Sequence, residues 1–412
     1  MLRLLSSTRV CTRLVNPAAR TAAAAAVRPH RLPAMGLAPA HRTEAPARSY
    51  SASGHPSQAQ APTVAPLTPF RTHTPAPTAS TSTPLVYTFY HDATSTWTYL
   101  VVDPATQHCA IIDSVLDYDP ASHTVSTQTA DALAAFVEQQ GLVVDRIFET
   151  HAHADHLTAA AYLQLRLSPL DGAADGATRV PIGAHSGIRS TQAHFAQMYD
   201  VPPGELESAF DELYEEGDEL HIGNLRGVVW HLPGHTMCSA GFVFGDSVFT
   251  GDSVLLPPTG TARADFPLGS ASLLYASSQR LLSLPPQVRL FSGHSYPLEG
   301  ASNLCSATVE EQRKLNPHVH EGVEEEAFVR MRRERDEGLK EPKLLHQSLQ
   351  VRPCQGRSLL CLCRRTLLSA GEARAGSFFS SCRHLTRLAS PRLAQVNIRA
   401  GRLPRGKNGQ PY

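Results

Sequence analysis

Acidic residues are almost missing from the opening of this 412-residue chain: the first is Glu44 and the second Asp92. Over the same stretch Arg3, Arg9, Arg13, Arg20, Arg28, Arg31, Arg42 and Arg48 recur among Leu, Ala and Ser, with no lysine up to residue 50. Arginine without carboxylates makes a cationic amphipathic segment of the kind that organelle import machinery reads and an inside-negative potential draws inward. Residues 1–50 are therefore expected to be a mitochondrial targeting leader, which would deliver the protein to the matrix. No apolar run reaches the roughly 18 residues a spanning helix needs, so no membrane association is expected. The eight cysteines (Cys11, Cys109, Cys238, Cys305, Cys354, Cys361, Cys363, Cys382) lack any framework spacing. In a reducing matrix that excludes a disulfide scaffold and predicts free thiols. With 37 basic against 37 acidic residues there is no net field to attract nucleic acid.

What is present begins after a stretch rich in Ala, Pro, Ser and Thr. Residues 51–84 have no periodic apolar positions to bury, so they are expected to be a disordered linker. From Leu85 the texture becomes short β-type runs, LVYTFY, WTYLVVD and HCAIIDS. An amphipathic helix is predicted from about Ser126 to Gln140, with Ala130, Leu133, Phe136 and Val137 on one face. The strand RIFET then runs directly into HAHADH, followed by a helical AAAYLQLRL. The same grammar continues with strand VPIGA, a helix near Ser190–Tyr199, strand LRGVVWHL into PGH, strands GFVFG and SVFT into GD, a helix around Ser270–Leu284, and strand VRLFSGH. Strands interleaved with helices predict a layered α/β sandwich spanning 85–305. The charged segment 306–350 has helix-favouring composition and is expected to form helices outside the core, its charges a solvated face.

Each His or Asp of interest sits where a strand ends, the place where a rigid sheet can gather residues distant in sequence. His151, His153, Asp155 and His156 form H-x-H-x-D-H; His235 closes P-G-H, Asp252 closes G-D and His294 closes G-H. Imidazole and carboxylate together suit zinc or iron. Taken singly, an Asp after Gly is usually a turn residue and a lone His usually structural. In this order and strand context the series resembles the metallo-β-lactamase superfamily. That resemblance implies an αββα sandwich with a metal centre at one sheet edge, followed here by a helical C-terminal extension.

Two metal schemes can be drawn from these seven residues. In a hydrolase scheme His151, His153 and His235 hold one metal, Asp155, His156 and His294 a second, and Asp252 bridges, so that two Zn(2+) activate hydroxide against an ester or amide. In a dioxygenase scheme one Fe(2+) per chain is held by His151, His235 and Asp252, leaving three positions open. The stretch after Asp252, TGTARADFPLGSASLLYASSQRLLSLP, resembles persulfide dioxygenases (sulfur dioxygenases of the ethylmalonic encephalopathy protein type), whose G-x-x-R-x-D-F element gives Arg263, Asp265 and Phe266 here. The likeness continues through EEQRKLNPHVHEGVEEEAFVRMRRERD and the late VNIRAGRLP.

The resemblance implies oxidation of glutathione persulfide by O2 and water to sulfite and glutathione, a step in sulfide disposal. It makes His151, His235 and Asp252 the iron ligands. His153, Asp155, His156 and His294 become groups that orient the ligands or hold a second metal. It pairs Arg263 with Asp265 at the pocket wall and places Tyr296 near the sulfur. The sequence departs from the family at Ser295, where relatives usually carry Asp in an H-D-Y element, and at Ala264, where many carry Cys. The rival enzyme is a glyoxalase II type thioester hydrolase, also glutathione-linked, whose helical glutathione-binding segment is not recognisable here. A catalytically silent binding protein is the rival from another class. The implied partners are glutathione persulfide and O2, with a homodimer left open.

In the relatives the SLQ ending at Gln350 would run into VNIRAGRLP, which resumes at Val396 in a terminal strap, 396–412. The forty-five residues between, 351–395, carry eight arginines, no lysine, one acid (Glu372) and half the cysteines. A lone C-x-C at Cys361 and Cys363 makes a weak metal signal. Valine codons begin with GT and a glutamine codon can end in AG, so Val351 to Gln395 is read as a translated intron, expected to be disordered.

Overall fold

The structure, a computed structural model, describes residues 66–74, 83–168, 179–199, 206, 209–297, 300 and 302–350. The chain divides into Met1–Ala61 and Pro62–Tyr412, and every described residue belongs to the second unit. The leader, the segment 351–395 and the strap 396–412 lie outside the described residues.

In chain order the elements are β1 (Arg71–His73), β2 (Leu85–His91), β3 (Thr96–Val102), β4 (His108–Ile112), β5 (Val115–Asp119), β6 (Thr124–Ser126), α1 (Gln128–Gln139), β7 (Val143–Phe148), β8 (Leu157–Thr158), α2 (Ala160–Leu167), β9 (Ile182–His185), α3 (Ile188–Tyr199) and β10 (Glu212–Tyr214). The second half adds β11 (Glu219–Ile222), β12 (Leu225–His231), β13 (Ala240–Phe244), β14 (Ser247–Gly251), α4 (Ala271–Leu282), β15 (Arg289–Ser292), β16 (Ser306–Thr308), α5 (Val309–Leu315), α6 (Glu325–Asp336) and α7 (Leu345–Gln350). Two large sheets result, ordered β1-β2-β3-β4-β7-β9-β10 and β11-β12-β13-β14-β15-β16, with a small sheet β6-β5-β8 beside them.

Period-two alternation explains the layering. Along β3, Trp97, Tyr99 and Val101 face a core shared with Phe242, Phe244, Phe249 and Phe291 of the second sheet. The alternate residues Leu100 and Val102 face Leu133, Phe136 and Val137 of α1. The outer face of the second sheet, through Val248 and Leu290, is covered by Leu281 of α4 and Val309. Helix, sheet, sheet, helix is the sandwich the alternating pattern predicts, and α1, α3 and α4 fall where the amphipathic stretches place them. The parallel pairs β4–β7, β7–β9 and β14–β15 need crossover connections, which bring the ends of these strands to one edge of the sandwich.

Two expectations are corrected. The linker read across 51–84 contains β1, whose Arg71 pairs with Thr88 of β2, while Phe70 packs edge-on to Trp97 at 5.2 Å. Three residues are too few to show a period, and the strand is held by this aromatic contact instead. The charged segment 306–350 is also more than a solvated exterior. It opens with β16, paired to β15 inside the second sheet, and it buries Phe328, Arg332 and Asp336 of α6 to 6% exposure or less.

The same segment buries His318, whose Nδ1 accepts the Thr261 N–H at 2.9 Å. Burial, followed by the charges of Arg335 and Arg332, lowers its pKa to about 4. A histidine depressed in the fold contributes stability that is present above its unfolded value near 6.5 and lost as pH falls toward the folded value. Thermal melts between pH 6.5 and pH 4 are therefore expected to show a smaller drop in Tm for His318→Asn than for the wild type. An equal drop would show that His318 plays no part in the acid limb.

Candidate metal centre

The histidines and carboxylates of the four strand-end motifs meet at this edge. His151, His153, Asp155 and His156 follow β7, His235 follows β12, Asp252 follows β14 and His294 follows β15. Ligand atoms of His151, His235 and Asp252 lie within 4.8 Å of one another, and those of His153, Asp155 and His156 form a second such group. Asp252 Oδ2 is 3.9 Å from His151 Nε2, 3.6 Å from His235 Nε2 and 3.6 Å from His294 Nε2.

Each of three rings is anchored through its far nitrogen. His235 Nδ1 donates to the carbonyl of Arg263 at 2.7 Å, and His294 Nδ1 donates to that of Ser95 at 3.1 Å. The Thr150 hydroxyl donates to Asp113 Oδ2 at 2.7 Å, which leaves its oxygen to accept from His151 Nδ1 at 2.9 Å. A neutral imidazole whose Nδ1 carries the proton presents a lone pair at Nε2. Burial, then the neighbouring His153 and His235, hold His151 well below the usual imidazole range, so its ring is neutral.

These residues fit a metal ion. His151 Nε2, His156 Nε2 and Asp252 Oδ1 are buried polar atoms with no hydrogen-bond partner in the protein. Such atoms are costly unless something satisfies them. Ligand atoms about 2.1 Å from one ion lie roughly 3 to 3.5 Å from each other, close to the spacing around Asp252 Oδ2.

His153 is turned differently. Its Nε2 lies 3.2 Å from Asp113 Oδ1 and 3.0 Å from Glu149 Oε2. Burial opposes its protonation, but these two carboxylates outweigh burial and raise it well above the usual range. Asp155 Oδ2 sits between His294 Nε2 at 3.1 Å and His156 Nδ1 at 3.3 Å. Burial would raise this carboxyl, and the imidazoles of His294 and His156 hold it well below its usual range instead.

Arg263 and Asp265 form a two-pronged pair at 2.6 Å, half-exposed beside the centre. Phe266 joins Ala154, Phe195 and Leu345 in a small apolar cluster, its ring centroid 6.2 Å from that of His235. The Tyr296 ring stacks on His294 at 5.7 Å and is exposed. At the two departures from the family, the side chains have partners outside the His/Asp cluster. Ser295 is buried, and its Oγ accepts the Leu304 N–H at 3.4 Å. Ala264 packs with Leu274 and Phe328. Cys109, Cys238 and Cys305 are buried free thiols.

Sequence reasoning missed Asp113, Glu149, Thr150 and Ser95. The first three ended apolar runs, in HCAIIDS and RIFET, so the rule that strand ends carry the chemistry would have found them. Nothing local marks Ser95, because its contribution is a carbonyl. Gly251 is required beside this network: its φ is +49°, and a Cβ there would come within 2.4 Å of Thr150 Oγ1.

Residues 91–294 match the model of the metallo-beta-lactamase superfamily. The chain is 43% identical over 276 residues to the beta-lactamase hydrolase-like protein of Xylella fastidiosa strain 9a5c, covering 67% of this chain and 61% of that one, so it spans about three-fifths of that relative's length. It is 38% identical to glyoxylase B2 of Dictyostelium discoideum over 61% of this chain and 84% of the relative. With the mitochondrial persulfide dioxygenase ETHE1 of Bos taurus it shares 29% identity over 62% of this chain and 82% of the relative. The crystal structure of ETHE1 from Myxococcus xanthus superposes with a TM-score of 0.50 at 27% identity, covering 67% of this chain and 98% of that one. Among the described residues no helix is long and apolar enough to cross a membrane. The fold, the strand-end histidines and aspartates and these matches together place the chain in the metallo-β-lactamase superfamily.

Proposed function

We propose that the chain is a mononuclear iron persulfide dioxygenase of the mitochondrial matrix. It would convert glutathione persulfide, O2 and water to glutathione and sulfite with release of two protons. The observation that carries this reading is the seat of His235. Its Nδ1–H bond ends on the carbonyl of Arg263, inside the G-x-x-R-x-D-F element that resembles persulfide dioxygenases. The donor set His151, His235 and Asp252 is the two-histidine, one-carboxylate face suited to Fe(II), with His153 grouped apart from it. Such an ion would supply open coordination positions at which O2 and the terminal sulfur can be brought to react.

The chain's own residues prepare the site. Thr150 and the Arg263 carbonyl hold His151 and His235 in the tautomer that points Nε2 inward. Asp155, kept ionised beside His294, offers a charged hydrogen-bond acceptor that can orient a water or thiol brought to it. Phe266 and Phe195 supply an apolar wall that excludes water from one side. Arg263, held by Asp265 and by the Lys340 carbonyl, keeps two of its five N–H groups for a glutathione carboxylate.

One measurement tests this: metal content and oxygen uptake of the full chain with glutathione persulfide. About one iron per chain, with sulfite formed for each O2 consumed, is the expected outcome. Two zinc ions per chain with no oxygen uptake would move the assignment to a thioester hydrolase. A specific observation favours that second reading, since His156 Nε2 is free and His294 Nε2 faces Asp155 and Asp252. Those donors could hold a second metal, and the glyoxylase relative is the more similar in sequence.

A further inference from the structure

The charged helix α6 reaches the metal centre through buried polar contacts that its composition conceals. Arg332 and Asp336 lie one turn apart and are 3% and 6% exposed. Asp336 Oδ1 accepts from Arg332 Nε at 3.0 Å and from a terminal guanidinium nitrogen at 2.7 Å. Its other oxygen, Oδ2, accepts the backbone N–H of Ala264 at 2.9 Å. Arg332 also donates to the carbonyl of Thr261 at 3.2 Å. Ala264 directly follows Arg263, whose carbonyl receives the Nδ1 proton of His235. The Arg263 side chain in turn donates to the carbonyl of Lys340, just beyond α6.

Upstream, the same loop is held by two more buried groups of the extension. Asn316 Nδ2 donates to the Gly260 carbonyl at 3.0 Å, and Gln312 Nε2 to that of Leu255 at 3.0 Å. The loop 255–266 has no strand partner of its own among the described residues and is fixed from outside by side chains of α5, α6 and the turn between them. A backbone amide bonded to a buried carboxylate is among the stronger hydrogen bonds available to a loop.

We infer that Asp336 is a positioning residue for the metal ligand His235, acting through the Ala264 N–H to fix the Arg263 carbonyl, so that the charged C-terminal extension sets the metal affinity of the centre. An imidazole whose Nδ1 partner is held in place keeps both its tautomer and its ring direction. Losing the Ala264 anchor lets the carbonyl drift and leaves His235 free to turn. This rests on His235 being a metal ligand, as proposed above.

The test is the affinity of the full chain for Co(II), measured by chelator competition together with the visible absorption of the bound ion. The variants are Asp336→Ala, Asp336→Asn and His235→Ala. Asp336→Ala is expected to weaken binding about tenfold or more and to shift the absorption bands, the size of effect seen when a partner of a ligating histidine is removed. Asp336→Asn keeps an oxygen for the Ala264 N–H, although it loses the charge pair with Arg332. It is expected to melt at a lower temperature yet bind within about threefold of the wild type.

Unchanged affinity and spectrum in Asp336→Ala would overturn the inference. So would a folded Asp336→Asn as weak as the alanine variant, because the ion pair rather than the amide contact would then matter. Should Asp336→Ala not fold, Asp336→Leu, which also lacks an acceptor for the Ala264 N–H, takes its place on the same tenfold criterion. If His235→Ala binds Co(II) like the wild type, it is the ligand assignment that fails; if His235→Ala loses the metal and Asp336→Ala does not, only the positioning role falls.

Discussion

Asp252→Ala is expected to empty the metal centre and abolish turnover while leaving the fold standing. Among the described residues the carboxylate is the only acidic group within 4 Å of the Nε2 atoms of both His151 and His235, so its removal leaves two imidazoles and takes away the charge between them that would balance a divalent cation. A ligand loss should exceed the tenfold to hundredfold penalty typical of a ligand's supporting partner. Metal per chain measured after dialysis should therefore fall to about a tenth or less, and the rate with any substrate by about a thousandfold or more. The protein should survive because Asp252 Oδ1 makes no hydrogen bond whose loss would be felt. Asp252→Asn separates charge from shape: it keeps the volume, and it is expected to lose most of the metal as well. Retention of a full equivalent of metal by both variants would remove Asp252 from the ligand set, and with it both metal schemes.

How much of this could be read in the sequence follows from where the information sits. The strands β2, β3, β4, β12 and β13 are runs of apolar and β-branched residues closed by turn formers, and α1 carries four core residues at helical spacing, so local pattern sufficed for them. The candidate ligand residues, which the structure brings together, were legible for the same reason. A strand end is a local feature, and His or Asp after it is uncommon. The shortest strands, β1, β6, β8, β10 and β16, escaped because two or three residues carry no period. The role of α6 escaped for a different reason. EEAFVRMRRERD looks solvated by composition, and only long-range pairing shows that Arg332 and Asp336 satisfy one another and Ala264 in the interior. A buried ion pair and an exposed one have the same letters. The tautomers of His235 and His294 are set by main-chain carbonyls of Arg263 and Ser95, which no side-chain motif can announce.

Gly234→Ala is expected to be the most destabilising single-methyl change near the site. Gly234 has φ +142°, a conformation that L side chains rarely adopt, and a Cβ built there would lie 2.2 Å from both N and Cα of Leu274 in the first turn of α4. The obstacle is backbone, so no rotamer change relieves it. The Gly234 carbonyl also accepts the N–H of Ser270, the residue whose hydroxyl caps α4 by accepting from Leu273 N. Moving Gly234 outward therefore loosens the helix start as well. Overpacking typically costs about 1 to 3 kcal/mol and an unfavourable φ about 1 to 3 more, so a loss of about 3 to 5 kcal/mol is expected. At about 2 to 4 °C per kcal/mol for a domain of this size, Tm should fall by about 10 °C. Gly141→Ala is the control. Gly141 also has positive φ, +66°, but nothing lies within 4 Å of its Cβ position, so only the backbone term of about 1 kcal/mol remains. Denaturant melts of the two variants isolate the contact between the P-G-H turn and α4. If Gly234→Ala loses no more than Gly141→Ala, the turn does not rest on the helix, and the position of His235 must be set by the Arg263 carbonyl alone.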